Sequence, residues 1–236
     1  MMFGDTPWMA ATSSPKNFRG KLQKRCFSPE GDPLTETADW EVIGLELTAM
    51  AETDRQVRAE LARDGSLYRG YHPRMRAVHD QHAARLESIL DRYGWPGEPQ
   101  VGREGAEAAW LIVQHAIAQP ALQRRVLSLL QEAASRGEVP ALQAAMLEDR
   151  IRVFQGLPQR YGTQFDWDET GQLSPLPIED PAGVDQRRRS VGLGPLGTDL
   201  EARREAMREG TERPPPDWAA RQREMAEWCR QVGWRD

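Results

Sequence analysis

Residues 103–118, with the sequence REGAEAAWLIVQHAIA, decide the fold of this 236-residue chain. Small or apolar side chains occupy nearly every position from Ala106 to Ala118, so the segment has no polar face of its own. A helix that is hydrophobic all round is buried, and its alanines allow neighbouring helices to pack close to it. We therefore expect a helical bundle with this segment as its central helix.

Four more amphipathic helices are expected to surround the central one. Each begins at an N-cap residue or a proline and ends next to a glycine, which are the usual start and stop signals of helices. In chain order, these helices cover residues 39–64, 73–93, 120–136 and 140–155. The predicted fold class is mainly α, with one helical core domain over residues 39–212.

Residues 157–181 interrupt the helical pattern with prolines and aromatic residues. A long irregular segment is expected here, with a short hairpin around Glu169–Gly171. A short helix should follow Pro181, and a charged helix should cover residues 198–209. Loops of this length are more often functional or packed on the core than simple linkers.

The two ends of the chain have different predicted structures. Residues 1–38 are rich in proline, serine and glycine, and they predict a flexible N-terminal extension. Residues 213–236 contain a proline-rich spacer and a last helix that begins at Asp217. This helix has an apolar side with Trp218 and Trp228, so we expect it to dock on the bundle.

Composition and charge exclude several classes of protein. The net charge of −5 argues against a general nucleic-acid-binding protein. No run approaches the roughly 18 apolar residues of a membrane span, and no apolar segment follows the basic N-terminal residues as in a signal peptide. A soluble cytoplasmic protein without membrane or nucleic-acid partners is expected. A disulfide between Cys26 and Cys229 is left open beside two free thiols.

Several polar side chains fall on the predicted buried faces of the helices. Leaving such a group buried without a partner costs about 1–3 kcal/mol, so each one needs a structural or functional reason. Four helices contribute them, and the residues are Asp54, His82, Gln114, His115, Asp149 and Arg150.

One interpretation of these residues is a ligand-binding or catalytic pocket below the irregular segment. His115 would be the catalytic acid or base, because an imidazole titrates near neutral pH, and Asp149 would orient its ring. Arg150 favours a small anionic ligand, since a guanidinium group binds carboxylates and phosphates. The substrate-binding residues of this pocket would be Gln114, Arg150, Tyr161, Thr163 and Gln164.

The other interpretation is structural. Asp54 would pair with Arg58 one turn later on the same helix, while Asp149 and Arg150 would anchor the loop of residues 157–165. A buried polar network of this kind fixes one arrangement of helices and loop. The protein would then be a non-catalytic interaction module whose partner binds elsewhere.

Metal-binding motifs receive little support from the spacing of the histidines. His79 and His82 are three residues apart, whereas zinc proteases use two histidines four residues apart with a glutamate between them. A mononuclear site from Asp54, His82, His115 and Asp149 has ligand types that suit iron, manganese or zinc, but no motif points to it. We therefore expect no metal, and the cofactor is left unknown.

Several short motifs in this chain resemble those of an uncharacterised bacterial family that is catalogued as a domain of unknown function. They are Gly94-Trp95-Pro96, Ala108-Ala109-Trp110-Leu111 with Gln114-His115-Ala116, Leu147 with Asp149-Arg150, residues 158–164 (PQRYGTQ), and Arg187-Arg188. The resemblance covers about residues 40–200 and implies no activity. It implies that the family's motif positions include Gln114, His115, Asp149, Arg150 and residues 161–164. The place of His82 is often an amide in that family, which argues against a metal role for His82.

Overall fold

The structure is a computed structural model that describes residues 38–68, 70–210 and 212–236. Eight α-helices lie within these ranges, and they confirm the mainly α fold class. In chain order they are α1 (Trp40–Arg63), α2 (Pro73–Tyr93), α3 (Glu98–His115), α4 (Pro120–Ser135), α5 (Ala141–Phe154), α6 (Val184–Ser190), α7 (Leu196–Glu209) and α8 (Trp218–Gln231).

Most of the predicted helix boundaries agree with the structure. The Asp39 side chain caps α1 by accepting a hydrogen bond from the amide of Val42, and Pro73 occupies the first turn of α2. The central helix α3 differs, because it begins at Glu98 with a kink at Gly102 and ends at His115. The predicted end at Ala118 was wrong: α3 ends at His115, because a helix cannot continue through Pro120, whose ring would clash with the carbonyl group of Ala116 four residues earlier.

The core lies where α1, α2, α4 and α5 surround α3. Every residue of the central stretch from Ala108 to Ile117 is buried, which confirms its predicted position. Buried apolar side chains from the other four helices complete this core, among them Leu47, Leu86, Val126 and Leu147.

Two glycines allow α1 and α3 to cross in direct contact. A Cβ atom on Gly44 would lie 2.7 Å from the carbonyl oxygen of Val101, and one on Gly105 would lie 3.1 Å from the Cα of Gly44. A larger residue at either position would therefore push the two helices apart. This close crossing fixes how α1 and α3 are aligned. It therefore determines which buried polar residues further along the two helices lie side by side.

The irregular segment after α5 contains the expected short hairpin. Strands β1 (Phe165–Trp167) and β2 (Leu173–Pro175) pair antiparallel, with Trp167 opposite Leu173. The carboxylate of Asp168 accepts hydrogen bonds from the amides of Thr170 and Gln172, at 2.9 and 3.0 Å, and so holds the turn.

The C-terminal residues dock on the bundle as predicted. Cys229 is a buried free thiol, and the indole nitrogen of Trp234 donates to the carbonyl oxygen of Ile117 at 2.7 Å. The N-terminal extension expected over residues 1–38 lies outside the described residues, except for its last residue, and Cys26 lies outside them too. The division into extension, core and C-terminal part stays a prediction.

None of the described helices is long and apolar enough to cross a bilayer.

Candidate functional site

Three buried polar side chains from three helices meet beside the C-terminal end of α3. One carboxylate oxygen of Asp54, Oδ2, lies 2.9 Å from His115 Nδ1 and 2.9 Å from His79 Nε2. The exposed fraction is 2% for Asp54 and 5% for each histidine. We call these three residues, Asp54 on α1, His79 on α2 and His115 on α3, the Asp–His–His cluster.

The helix arrangement explains why these residues meet. Asp54 and His115 each lie ten residues beyond the glycines Gly44 and Gly105 where α1 and α3 cross. Because both helices rise 1.5 Å per residue, equal spacing along parallel helices brings the two side chains together about 15 Å from the crossing.

Helix α2 runs in the opposite direction beside α1. The guanidinium group of Arg85 forms two 2.7 Å hydrogen bonds to Glu46 near the start of α1. His79 therefore lies back along α2, beside Asp54, and completes the cluster.

A tyrosine supports one of the two imidazoles from outside the cluster. The Tyr71 hydroxyl lies 2.8 Å from His79 Nδ1, and the two rings stack with 5.7 Å between their centres. Burial raises the pKa of the Tyr71 hydroxyl, so it stays protonated near neutral pH. With Nδ1 engaged by Tyr71, His79 presents Nε2 to Asp54.

The electrostatics of the cluster favour an ionised carboxylate beside a neutral imidazole. Burial alone would raise the pKa of Asp54, but the imidazoles of His115 and His79 outweigh it and hold that pKa well below its usual range. Burial lowers the pKa of His79 to about 4, although the neighbouring carboxylate of Asp54 acts in the opposite direction. Neutral imidazole is the form that binds metal ions.

Two atoms of the cluster lack hydrogen bonds within the described residues. The 2.9 Å contact between His79 Nε2 and Asp54 Oδ2 does not have the direction of a hydrogen bond, and His79 Nε2 makes none elsewhere. Asp54 Oδ1 makes none either, and Arg58 Nε is an ionic neighbour at 3.9 Å. Buried polar atoms without partners are rare in native proteins and call for an explanation.

The arrangement of the ligand-type atoms fits a metal ion. The carboxylate oxygen and the two imidazole nitrogens all lie within 4.8 Å of one another. Atoms bound to the same ion at about 2.1 Å lie roughly 3 Å apart when they are neighbours in its coordination sphere. One carboxylate and two imidazoles also form a donor set that iron, zinc and manganese accept.

A second buried aspartate, Asp149 on α5, has a different environment. Its carboxylate accepts from the amides of Arg160, Tyr161 and Thr163 and from the Thr163 hydroxyl, at 2.6 to 3.1 Å. Burial raises the pKa of Asp149 against the effect of these donors. We expected Asp149 to orient His115, but the carboxylate beside His115 is Asp54. Asp149 instead satisfies the converging amides of the loop.

The remaining predicted residues also serve the loop or the end of α3. Arg150 Nη1 donates to the carbonyl oxygen of Gln114 at 2.7 Å, while the Gln114 side-chain amide is buried and forms no hydrogen bond within the described residues. Gln164 donates to the Thr163 hydroxyl at 3.1 Å, and Tyr161 is partly buried beside them. Of the predicted site residues, His115 thus belongs to the cluster. The others lie in the loop anchored by Asp149, on α5 or at the end of α3.

A sequence model of a family of unknown function, DUF6624, matches residues 42–207. The chain belongs to this family. The DUF6624 range contains the entire Asp–His–His cluster and the loop anchored by Asp149, and it ends before α8 begins. No curated protein and no solved structure matches the chain.

Sequence reasoning missed two residues of the site in this DUF6624 member. The apolar residues of α2 suggest a buried stripe through Met75, Val78, His82 and Leu86, but the structure buries His79 in place of Val78. Met75, His79, His82 and Leu86 are spaced by 4, 3 and 4 residues, so helical periodicity could have found His79. Tyr71 lies in the connection before α2, where no periodic signal exists. His82 is buried one turn from His79 but is not among the three cluster residues.

Proposed function

We propose that this protein binds a divalent first-row transition-metal ion at the Asp–His–His cluster and uses the ion to hold a small anionic molecule. The observation that carries the proposal is the convergence of one carboxylate oxygen and two imidazole nitrogens from three helices in a buried site. This departs from the metal-free site expected from the sequence, where only the spacing within one helix was available as a signal.

The hydrogen-bond deficit of the cluster favours an ion over a purely structural network. A network that serves only stability would be expected to pair its buried atoms, because an unpaired buried polar group costs about 1–3 kcal/mol. His79 Nε2 and Asp54 Oδ1 make no hydrogen bonds within the described residues. An ion between the side chains would satisfy the lone pairs of the imidazole and the carboxylate together.

The surroundings of His79 also match those of metal-binding histidines. Such histidines commonly bind the metal through one nitrogen, while the other donates its N–H to a neighbouring oxygen. The Tyr71 hydroxyl oxygen lies 2.8 Å from His79 Nδ1 and can accept that proton. His79 Nε2 would then present its lone pair to the ion.

Three protein ligands define what such an ion would do. A metal ion with three protein ligands keeps positions open for water or a substrate, in contrast to the closed four-ligand sites that only stabilise a fold. The ion would act as a Lewis acid on what it binds. This chemistry retains the small anionic ligand expected from the sequence but moves its binding site from Arg150 to the cluster.

Proton transfer without a metal is a second candidate function. Tyr71, His79, Asp54 and His115 form a continuous line of ionisable groups with 2.8 to 2.9 Å between successive polar atoms, although the contact between His79 and Asp54 does not have the direction of a hydrogen bond. In this case His115 would be the acid or base, as the sequence suggested, and Asp54 would orient it.

The experiment that separates these functions is a metal titration of the chelator-treated protein. We expect one Zn²⁺ or Co²⁺ ion per chain by calorimetry, and elemental analysis of the untreated protein should find bound metal. At a metal concentration 100 times the Kd, binding stabilises the folded state by about 2.7 kcal/mol. This should raise the melting temperature by roughly 5–10 °C.

Matched variants locate the binding site. His79→Asn and His115→Gln should abolish binding of one ion, whereas His72→Asn should retain it. His72 is a suitable control because it lies outside the cluster and caps α2 through its side chain, which asparagine also does well. Equal Zn²⁺ binding by His79→Asn and the unchanged protein would overturn the metal proposal.

A further inference from the structure

The C-terminal segment, residues 218–236, touches the supports of both histidines in the cluster. It lies beyond residue 207, where the family match ends. On the His79 side, the Trp228 ring meets the Tyr71 ring edge to face at 5.9 Å. Tyr71 in turn contacts His79 through its hydroxyl and through ring stacking.

The same segment also reaches the backbone that follows His115. The indole nitrogen of Trp234 donates to the carbonyl oxygen of Ile117 at 2.7 Å. The amide of Ile117 donates to the carbonyl oxygen of His115 at 2.8 Å. Trp234 thus holds the tight turn with which α3 ends, directly after a cluster residue.

Hydrogen bonds and an aromatic contact fix the C-terminal segment against the end of α5, so the segment can position the residues that it contacts. The Arg235 guanidinium group donates to the carbonyl oxygens of Phe154 and Val153 at the C-terminal end of α5. Cations near a helix C-terminus are favourable, because they compensate the unpaired carbonyl groups there. Trp234 packs on Phe154 with 5.1 Å between the ring centres. Aromatic contacts of this kind stabilise a structure beyond the area that they bury.

We propose that the C-terminal segment is a positioning element of the metal centre, in which Trp228 holds Tyr71 so that its hydroxyl fixes the orientation and tautomer of His79. This inference rests on the proposed metal-binding function for its effect on affinity, but the positioning of His79 can be measured without a metal. Tyr71 lies between the 3-10 helix (Ser66–Tyr68) and α2, so its side chain takes its place from tertiary contacts.

The test compares variants of Trp228 with a tryptophan at the other end of the same helix. Trp228→Leu removes the aromatic edge but keeps an apolar side chain, and Trp228→Phe restores an aromatic ring. Trp218→Leu is the matched control, because the Trp218 indole bonds the carbonyl oxygen of Trp167, outside the cluster. Each full-length variant is examined by nitrogen NMR of the His79 imidazole without metal, and by Zn²⁺ calorimetry.

Loss of a group that orients a metal ligand typically weakens binding 10- to 100-fold. We expect Trp228→Leu to shift His79 toward a mixture of tautomers and to weaken Zn²⁺ binding about 10-fold, with Trp228→Phe restoring most of both properties. Trp218→Leu should change neither. Tyr71→Phe, which keeps the ring contact but removes the hydroxyl, should reproduce the His79 change and serves if Trp228→Leu does not fold.

The outcomes separate this inference from the proposed function. An unchanged His79 tautomer in either Trp228→Leu or Tyr71→Phe would overturn the positioning role, even if Zn²⁺ binds to the unchanged protein. A mixture of tautomers in Trp228→Leu and in the Trp218→Leu control alike would also overturn it, since the effect would then be general. Failure of the unchanged protein to bind Zn²⁺ would refute the metal function, while the NMR result would still decide the positioning role.

Discussion

Two buried aspartates of this molecule, Asp149 on α5 and Asp54 on α1, have opposite hydrogen-bond environments. Asp149 receives three backbone amides and one hydroxyl from the loop that follows its own helix. Asp54 lies between two imidazoles, and its Oδ1 atom makes no hydrogen bond within the described residues. A carboxylate that is saturated by backbone donors has no capacity left for a ligand, whereas one that is not saturated does.

The largest expected effect comes from removing the saturated carboxylate. Asp149→Ala leaves buried amides of the loop without an acceptor, and hydrogen bonds to a charged group contribute about 1.5–3 kcal/mol each. We expect the free energy of unfolding, measured by urea denaturation, to fall by about 3 kcal/mol or more. Zn²⁺ affinity should stay within about threefold once the protein is folded, because Asp149 does not belong to the cluster.

The neighbouring residue offers a control for Asp149→Ala. Glu148 pairs with Arg160 at 3.0 Å, and the Arg160 side chain is 42% exposed. Glu148→Ala should therefore cost no more than about 1 kcal/mol. A loss of Zn²⁺ binding in Asp149→Ala with unchanged stability would reverse the roles we assign to the two aspartates.

Removing the charge of Asp54 should weaken Zn²⁺ binding strongly, whereas Asp149→Ala should mainly lower the stability of the fold. Asp54→Asn keeps the size of the side chain but loses a charged ligand. Loss of a partner outside the coordination sphere already weakens metal binding 10- to 100-fold, so loss of this ligand should weaken Zn²⁺ binding by at least about 100-fold. The metal-free protein should also lose stability by urea denaturation, because the lowered pKa of Asp54 means that its charge interacts favourably with the two imidazoles, although asparagine still offers His115 an oxygen acceptor.

The comparison with Asp149→Ala makes this second experiment decisive. A destabilisation of Asp54→Asn as large as that of Asp149→Ala, with unchanged Zn²⁺ binding, would show that both aspartates serve the fold alone. The non-catalytic interpretation of the sequence would then be favoured.

The contrast between the aspartates also shows what the sequence could reveal. Periodicity placed both Asp54 and Asp149 on buried faces, because the helix pattern of each segment is local. The donors of Asp149 come from a loop only 11 to 14 residues later, and a structural role in anchoring this loop was among the interpretations of the sequence. Local information was therefore sufficient for that half of the site.

The partners of Asp54 depend on information that no local pattern contains. His115 lies 61 residues away in the chain, and the meeting of the two side chains requires the glycine-mediated crossing of α1 and α3. The position of His79 depends in addition on which face of α2 is buried. The orientation of its ring depends on Tyr71 and the C-terminal segment. A single sequence shows which residue types are available for such a site, but not how the fold places them relative to one another.

The smallest expected effect concerns the cation beside Asp54, and its sign distinguishes the two functions. Arg58 Nε lies 3.9 Å from Asp54 Oδ1, and the Arg58 side chain is 17% exposed. Its positive charge would repel a divalent ion bound a few ångströms away, by about 1 kcal/mol even in a medium that screens strongly. Arg58→Gln should therefore strengthen Zn²⁺ binding about threefold to tenfold by calorimetry. In a site without a metal, the same change would only remove a favourable neighbour of the carboxylate and lower the melting temperature. Weaker Zn²⁺ binding in Arg58→Gln would mean that Arg58 supports the geometry of Asp54 more than it repels the ion, and the electrostatic account of the cluster would be wrong.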